Sequence, residues 1–169
     1  MPDLRELHSA ISRFLAEVMA PPSEAAARID HLRLALDRIS PHLTQTGQGG
    51  DDWTGYAEDK DGDAPDWDDG CDDAEQNREL MTTYARLYPF LGYYNMPLDV
   101  TSRIGESGWG MGAMMDDLVD FTKEMRAAKR LGDLGFQNEM RVMLFTMGVH
   151  WEPHLANLRW ALAHLHRET

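Results

Sequence analysis

Residues 136–165, FQNEMRVMLFTMGVHWEPHLANLRWALAHL, decide the fold. Apolar side chains fall at Phe136, Met140, Met143, Leu144, Met147, Trp151, Leu155, Leu158, Leu162 and Leu165. The steps are mostly threes and fours, the spacing of one face of a helix. The stretch therefore predicts one long amphipathic helix from Phe136 to Leu165, with the rest of the chain folded as helices that cover it. His150 and His154 lie one turn apart in its middle and flank Trp151.

The same periodicity recurs upstream. Leu4, Leu7, Ile11, Phe14, Leu15 and Val18 form a stripe that predicts a first helix, capped by Asp3 and ending near Met19 before Pro21 and Pro22. Ser23 is placed to cap a second helix, with Ala25, Ile29, Leu32, Leu36 and Ile39 inward and Pro41 closing it. The short Pro-Pro connection favours an antiparallel pair. A third helix is predicted from about Asp73 to Tyr88, with Leu80, Tyr84 and Leu87 inward. Residues 89–112 read as an irregular but ordered connection. A fourth helix follows from Ala113 to about Leu131, with Met114, Met115, Leu118, Phe121, Met125 and Ala128 inward. Gly132 and Gly135 mark the turn into the last helix. No strand-like alternation persists, so the expected fold is all-α: a single-domain antiparallel bundle of about five helices, the last of them central.

A chain of 169 residues with 43% hydrophobic content is long enough to bury a core without metal or disulfide support. Its net charge of −13 is unevenly placed. Between Asp51 and Glu75 there are twelve acidic residues and one basic residue, Lys60, a local charge of −11 that leaves −2 for everything else. No basic stripe is available to neutralise phosphates, which argues against nucleic acid. The segment 44–72 is rich in glycine and lacks either periodicity, so it reads as a loop or partly disordered excursion. Its aromatic residues Trp53, Tyr56 and Trp67 are ones a purely solvating linker tends to lack, and they either pin the loop back on the body or await a partner. Trp53, Asp59, Asp61, Asp63 and Trp67 are thus the candidate contacts for a basic protein surface.

Cys71 is the one cysteine and lies among aspartates, a setting that discourages the thiolate. The beginning of the chain has no basic-then-apolar signal pattern, and the longest uncharged run, Leu87 to Leu98, falls short of the roughly 20 residues that span a bilayer. A cytoplasmic protein with no membrane association is expected.

Four patterns bear on chemistry. With Met147 at the centre of the buried face, His154 lies within about 20° of it and His150 about 60° to one side. Two imidazoles so placed can share a divalent metal with a carboxylate from a neighbouring helix, and zinc, iron or manganese would suit. The plainer alternative is a hydrogen-bonded histidine in the core with a second at its rim. Trp151 stands where the zincin motif needs glutamate, so that motif is absent. Pro153 removes an N–H and is expected to kink the helix by orphaning the carbonyl of Val149.

Asp116, Asp117 and Asp120 form the second pattern, similar to an aspartate box. With Leu118 at the buried centre, Asp116 and Asp120 fall about 160° away and Asp117 about 100°, so a solvated face near a helix N-terminus is expected. Asp117 is the best placed of the three to meet the histidines. Asp59 to Ala64 opens like a calcium loop but carries Ala64 and Gly70 where glycine and glutamate are required. The glycines from Gly105 to Gly112 precede a helix but have no lysine or arginine among them, so a plain connection is expected. The eleven methionines follow the helical stripes and read as adaptable core filling.

The string Asp116-Asp117-Leu118-Val119-Asp120-Phe121, with Phe145 to His154 and then Leu158 to His166, resembles a bacterial family catalogued as domain of unknown function 5063. The resemblance covers roughly residues 112–166. It implies a small all-helical protein of no assigned activity and marks His150, Trp151, His154, Asp116, Asp117 and Asp120 for inspection. Three functional readings follow. The first is a non-enzymatic interaction or regulatory module that docks a basic surface through its acidic loop and needs no cofactor. The second is a metal-binding protein or metal-dependent enzyme built on His150, His154 and Asp117. A third, plainer reading is a structural protein that self-associates into a homo-oligomer.

Overall fold

Asp3 caps the first helix as its sequence predicts: its carboxylate accepts the backbone N–H of Arg5 at 2.9 Å. The computed structural model describes residues 3–44, 64–65, 74–97 and 109–168. Six helices lie among them: α1 (Leu4–Met19), α2 (Ala25–Thr44), α3 (Ala74–Leu87), α4 (Met114–Leu134), α5 (Gln137–Thr146) and α6 (Gly148–Glu168). The fold is all-α, and buried residues from all six helices join in one core. No helix among the described residues is long and apolar enough to cross a membrane.

The predicted stripe of α1 is buried at Leu4, Leu7, Ile11, Phe14 and Val18. α2 does not stop at Pro41 but runs through it to Thr44. Ile39 and Leu43, on either side of the proline, are fully buried, and that packing outweighs the loss of one backbone hydrogen bond. Arg28, near the start of α2, donates to three main-chain carbonyls: Nε to Pro22 at 2.9 Å, Nη2 to Ser23 at 3.1 Å and Nη1 to Leu87 at 2.9 Å. It thereby joins the Pro-Pro turn to the C-terminal end of α3. Tyr88 completes the junction by donating its hydroxyl to the Val18 carbonyl at 2.8 Å.

The connection ahead of α4 contains a short antiparallel ribbon, β1 (Tyr93–Pro97) paired with β2 (Trp109–Ala113), in the register Tyr93↔Ala113 to Pro97↔Trp109. Too few residues take part for alternation to show in the sequence. Tyr93, Tyr94 and Trp109 have the aromatic character that favours strands. The N–H of Met114 reaches back to the Gly92 carbonyl at 3.0 Å, which fastens the ribbon to the start of α4.

α4, not the last helix, is the hub, packing against α1, α3, α5 and α6. It runs through Gly132 and ends at Gly135, which takes the left-handed conformation at φ 91°. Gly132 serves a close approach rather than a turn. A Cβ there would lie 2.4 Å from the His8 ring, which crosses from α1 and meets Asp133 at 3.0 Å.

The predicted single rod from Phe136 to Leu165 is two helices. The break is at Met147–Gly148, and α6 continues through Pro153. The physical reason lies in Trp151. A continuous helix would give the Leu144 carbonyl to the N–H of Gly148, but the Trp151 indole takes it, Nε1 to oxygen at 2.8 Å. Met147 then ends α5, and its carbonyl accepts the N–H groups of His150 and Trp151 to start α6. Trp151, Leu158 and Leu162 are essentially inaccessible, each worth roughly 2 kcal/mol or more of apolar burial.

Candidate functional site

α4 and α6 lie side by side, and their contact carries most of the chemistry. Four ionisable side chains meet across it in two pairs. Nδ1 of His154 is 2.6 Å from Oδ1 of Asp117. Nδ1 of His150 bonds Oε1 of Glu124. The later acid of α4 meets the earlier histidine of α6, as an antiparallel arrangement requires. The two rings touch edge to face, with centroids 4.9 Å apart and an interplanar angle of 74°.

Both carboxyl groups are buried, with 9% of the Asp117 side chain and 4% of Glu124 exposed. The rings are wetter: His154 is about one-fifth exposed and His150 about half. A carboxylate accepts, so the proton of each pair belongs on Nδ1, and Nε2 is left with the lone pair. Beside them Asp120 holds Lys123 at 3.3 Å, and Asp116 is exposed.

The hydrogen bond that His154 donates to Asp117 lifts the pKa of the ring above its ordinary value; burial opposes this, and the charges of Asp117, Asp120 and Glu124 add to it. Burial pushes Glu124 up, against the lowering effect of its bond to His150. Oε2 of Glu124 is buried with no hydrogen-bond partner among the described residues. Partial desolvation and the neighbouring Asp120 and Asp117 also lift Asp116. The site as a whole therefore favours bound protons.

The sequence reading anticipated His154 with Asp117. It did not anticipate that Asp117 is buried. The buried face of α4 is centred nearer Phe121 than Leu118, because neighbours pack on it over a wide arc. Asp117 lies only about 40° from Phe121 on the helical wheel. Asp116 does fall on the solvated side. Glu124 was missed altogether. The signal was present: Glu124 follows Asp117 by seven residues, two turns along one face, while His150 precedes His154 by one turn. Antiparallel pairing of the first couple brings the second within side-chain reach.

The three proposed metal ligands thus divide, with Asp117 on His154 and His150 on Glu124 instead. Among the described residues no group of three or more His, Cys, Asp or Glu side chains is arranged to hold a metal ion. The acidic-loop candidates Trp53, Asp59, Asp61, Asp63 and Trp67 lie outside the described residues, as does Cys71. Of the glycine run, Gly110 and Gly112 belong to β2.

The outer face of α6 is the second notable surface. Val149, Pro153, Ala156, Trp160 and Ala163 are all exposed there, Val149 at 88% and Trp160 at 55%. They follow one another at steps of four, three, four and three, a seam without charge. Trp160 stacks on His164, with centroids 5.6 Å apart. Arg159, at its flank, ties α6 to α2 through Asp37 at 2.7 Å and Ser40 at 3.2 Å. Comparison with protein-family models, with curated proteins and with solved structures finds no match to this chain.

Proposed function

We propose that this protein is a non-enzymatic helical interaction module that binds an amphipathic helix of a partner along the outer face of α6. The carrying observation is the seam from Val149 to Ala163. Apolar residues recur on it at heptad spacing although the opposite face of the same helix already fills the core. Small residues in its middle, Pro153 and Ala156, admit a close neighbour, and Trp160 offers a large anchor. The acidic segment from Asp51 to Glu75 favours a partner bearing basic residues and would act mainly on association rate and salt sensitivity. Trp53, Asp59, Asp61, Asp63 and Trp67 are its proposed contacts. The test replaces Val149 and Trp160 together by glutamate, with helicity checked by circular dichroism. Loss of the co-purifying partner, or of a dimer in light scattering if the partner is a second copy, supports the reading. Unchanged association in a folded variant ends it.

A second reading rests on the two Nδ1–carboxylate pairs. Histidine ligands of metals are usually oriented in this way, through a carboxylate on the ring nitrogen away from the metal. In this reading a divalent ion binds Nε2 of His150 and His154, with Asp117 and Glu124 in support. Elemental analysis of untagged, chelator-free protein decides it. Stoichiometric metal that disappears in His154→Ala is expected, and its absence from the parent protein excludes the reading.

A further inference from the structure

α1 and the C-terminal part of α2 border an open groove of about 390 Å³ lined by Arg5, Glu6, Ser9, Ala10, Arg13 and His42. The volume falls in the range of small-molecule sites. Arg5, Ser9 and Arg13 recur every four residues and so form one line along α1, with His42 facing them from α2. Two cationic side chains and an imidazole are thus gathered on a molecule whose net charge is −13. Among the described residues, the side chains of Arg5, Arg13 and His42 have no hydrogen-bond or ion-pair partner. The neighbouring Arg38 contrasts with them, its guanidinium held by Glu17 at 2.9 Å.

We propose that this groove binds a small phosphate monoester that also carries hydroxyl groups. Guanidinium forks match phosphate oxygens in geometry and stay charged, and a serine hydroxyl between them adds a donor to the same oxygens. Glu6 lies on the same wall. Its carboxylate repels a second phosphate but accepts from a ligand hydroxyl, so the chemistry selects a single phosphate on a polyol over a polyphosphate. Asp3, whose carboxylate is engaged at the backbone of Arg5, caps the helix end beyond.

The probe is glycerol 3-phosphate, titrated into the full chain and followed by amide chemical shifts and calorimetry. Saturable binding in the millimolar range or tighter is expected, with shifts at Ser9, Arg13 and His42 and weaker binding of inorganic phosphate. Arg13→Gln should weaken the complex about tenfold or more, and Arg5→Gln with Arg13→Gln should abolish it. Arg86→Gln, an exposed position on α3 outside the lining, should leave it unchanged. Absence of saturation, equal binding of inorganic phosphate, or full affinity in folded Arg13→Gln would overturn the assignment. So would a glutamate hexapeptide that binds about tenfold tighter than the probe, which would make the groove a site for acidic polypeptide.

Discussion

Asp117 and His154 meet at 2.6 Å between α4 and α6, and their bond makes a definite claim about titration. With Asp117 accepting from Nδ1, the imidazolium is stabilised and His154 titrates above its ordinary value of 6.5. Asp117→Asn should therefore bring the His154 transition down, as read from ring-proton chemical shifts against pH. A transition that stays in place would mean that the contact does not govern the ring. Glycines offer a second residue-scale contrast. At Gly132 an added Cβ would intrude on the His8 ring at 2.4 Å, whereas at Gly148 the nearest atom is a Glu152 carboxylate oxygen at 3.7 Å. Gly132→Ala is expected to destabilise by about 1–3 kcal/mol through overpacking, and Gly148→Ala to be neutral or slightly stabilising. Urea denaturation of the two variants compares them directly.

At the level of elements, the sequence was most legible where one helix has one buried face. α1 follows its stripe from cap to end, because only one side of it is covered. α4 was read to about Leu131, three residues short of its end at Leu134, and with a rotated face, since a hub helix is buried over too wide an arc for any single residue to mark its centre. That rotation is why Asp117 seemed solvated and Glu124 went unnoticed. The α5–α6 elbow was hidden for a different reason. The apolar stripe stays in phase across Met147, so periodicity cannot report the break, and Pro153, the more conspicuous residue, lies inside α6. What breaks the helix is a side-chain hydrogen bond, a tertiary feature. Trp151→Phe keeps most of the buried area but leaves the Leu144 carbonyl without the indole N–H. A loss of about 1–3 kcal/mol is expected from that orphaned acceptor, measurable by thermal or chemical unfolding. The ribbon of β1 and β2 was invisible to pattern analysis because five residues per strand, with glycine at alternate places in β2, leave no alternation to detect.

For the whole molecule, the two raised groups at the α4–α6 contact, His154 and Glu124, act in one direction. His154 has a raised pKa in the fold, so its contribution to stability is complete below 6.5 and is lost as pH rises through the raised value. Glu124, raised by burial, likewise favours the fold while protonated, and its contribution disappears as pH climbs from 4.5 through its own raised value. Stability is thus expected to fall from mildly acidic towards mildly alkaline pH. The part of the slope above 6.5 should flatten in Asp117→Asn, as followed by the midpoint of urea unfolding. The local excess of acid between Asp51 and Glu75 was plain in the sequence, and so, from its apolar periodicity, was the class of fold. The grouping of Arg5, Arg13 and His42 was not, because it depends on how α1 and α2 come together.

The three carbonyls gathered by Arg28 have a consequence for the continuity of the chain. Pro22 and Ser23 belong to one end of a long span and Leu87 to the other, and a guanidinium, not a peptide, brings them together. α2 also adheres to α6, and α1 to α4. A cut anywhere between Thr44 and Ala74 should therefore yield two fragments that remain a single particle on gel filtration and regain helicity when mixed after separation. In Arg28→Ala the nicked halves should drift apart more readily, while the uncut protein stays whole.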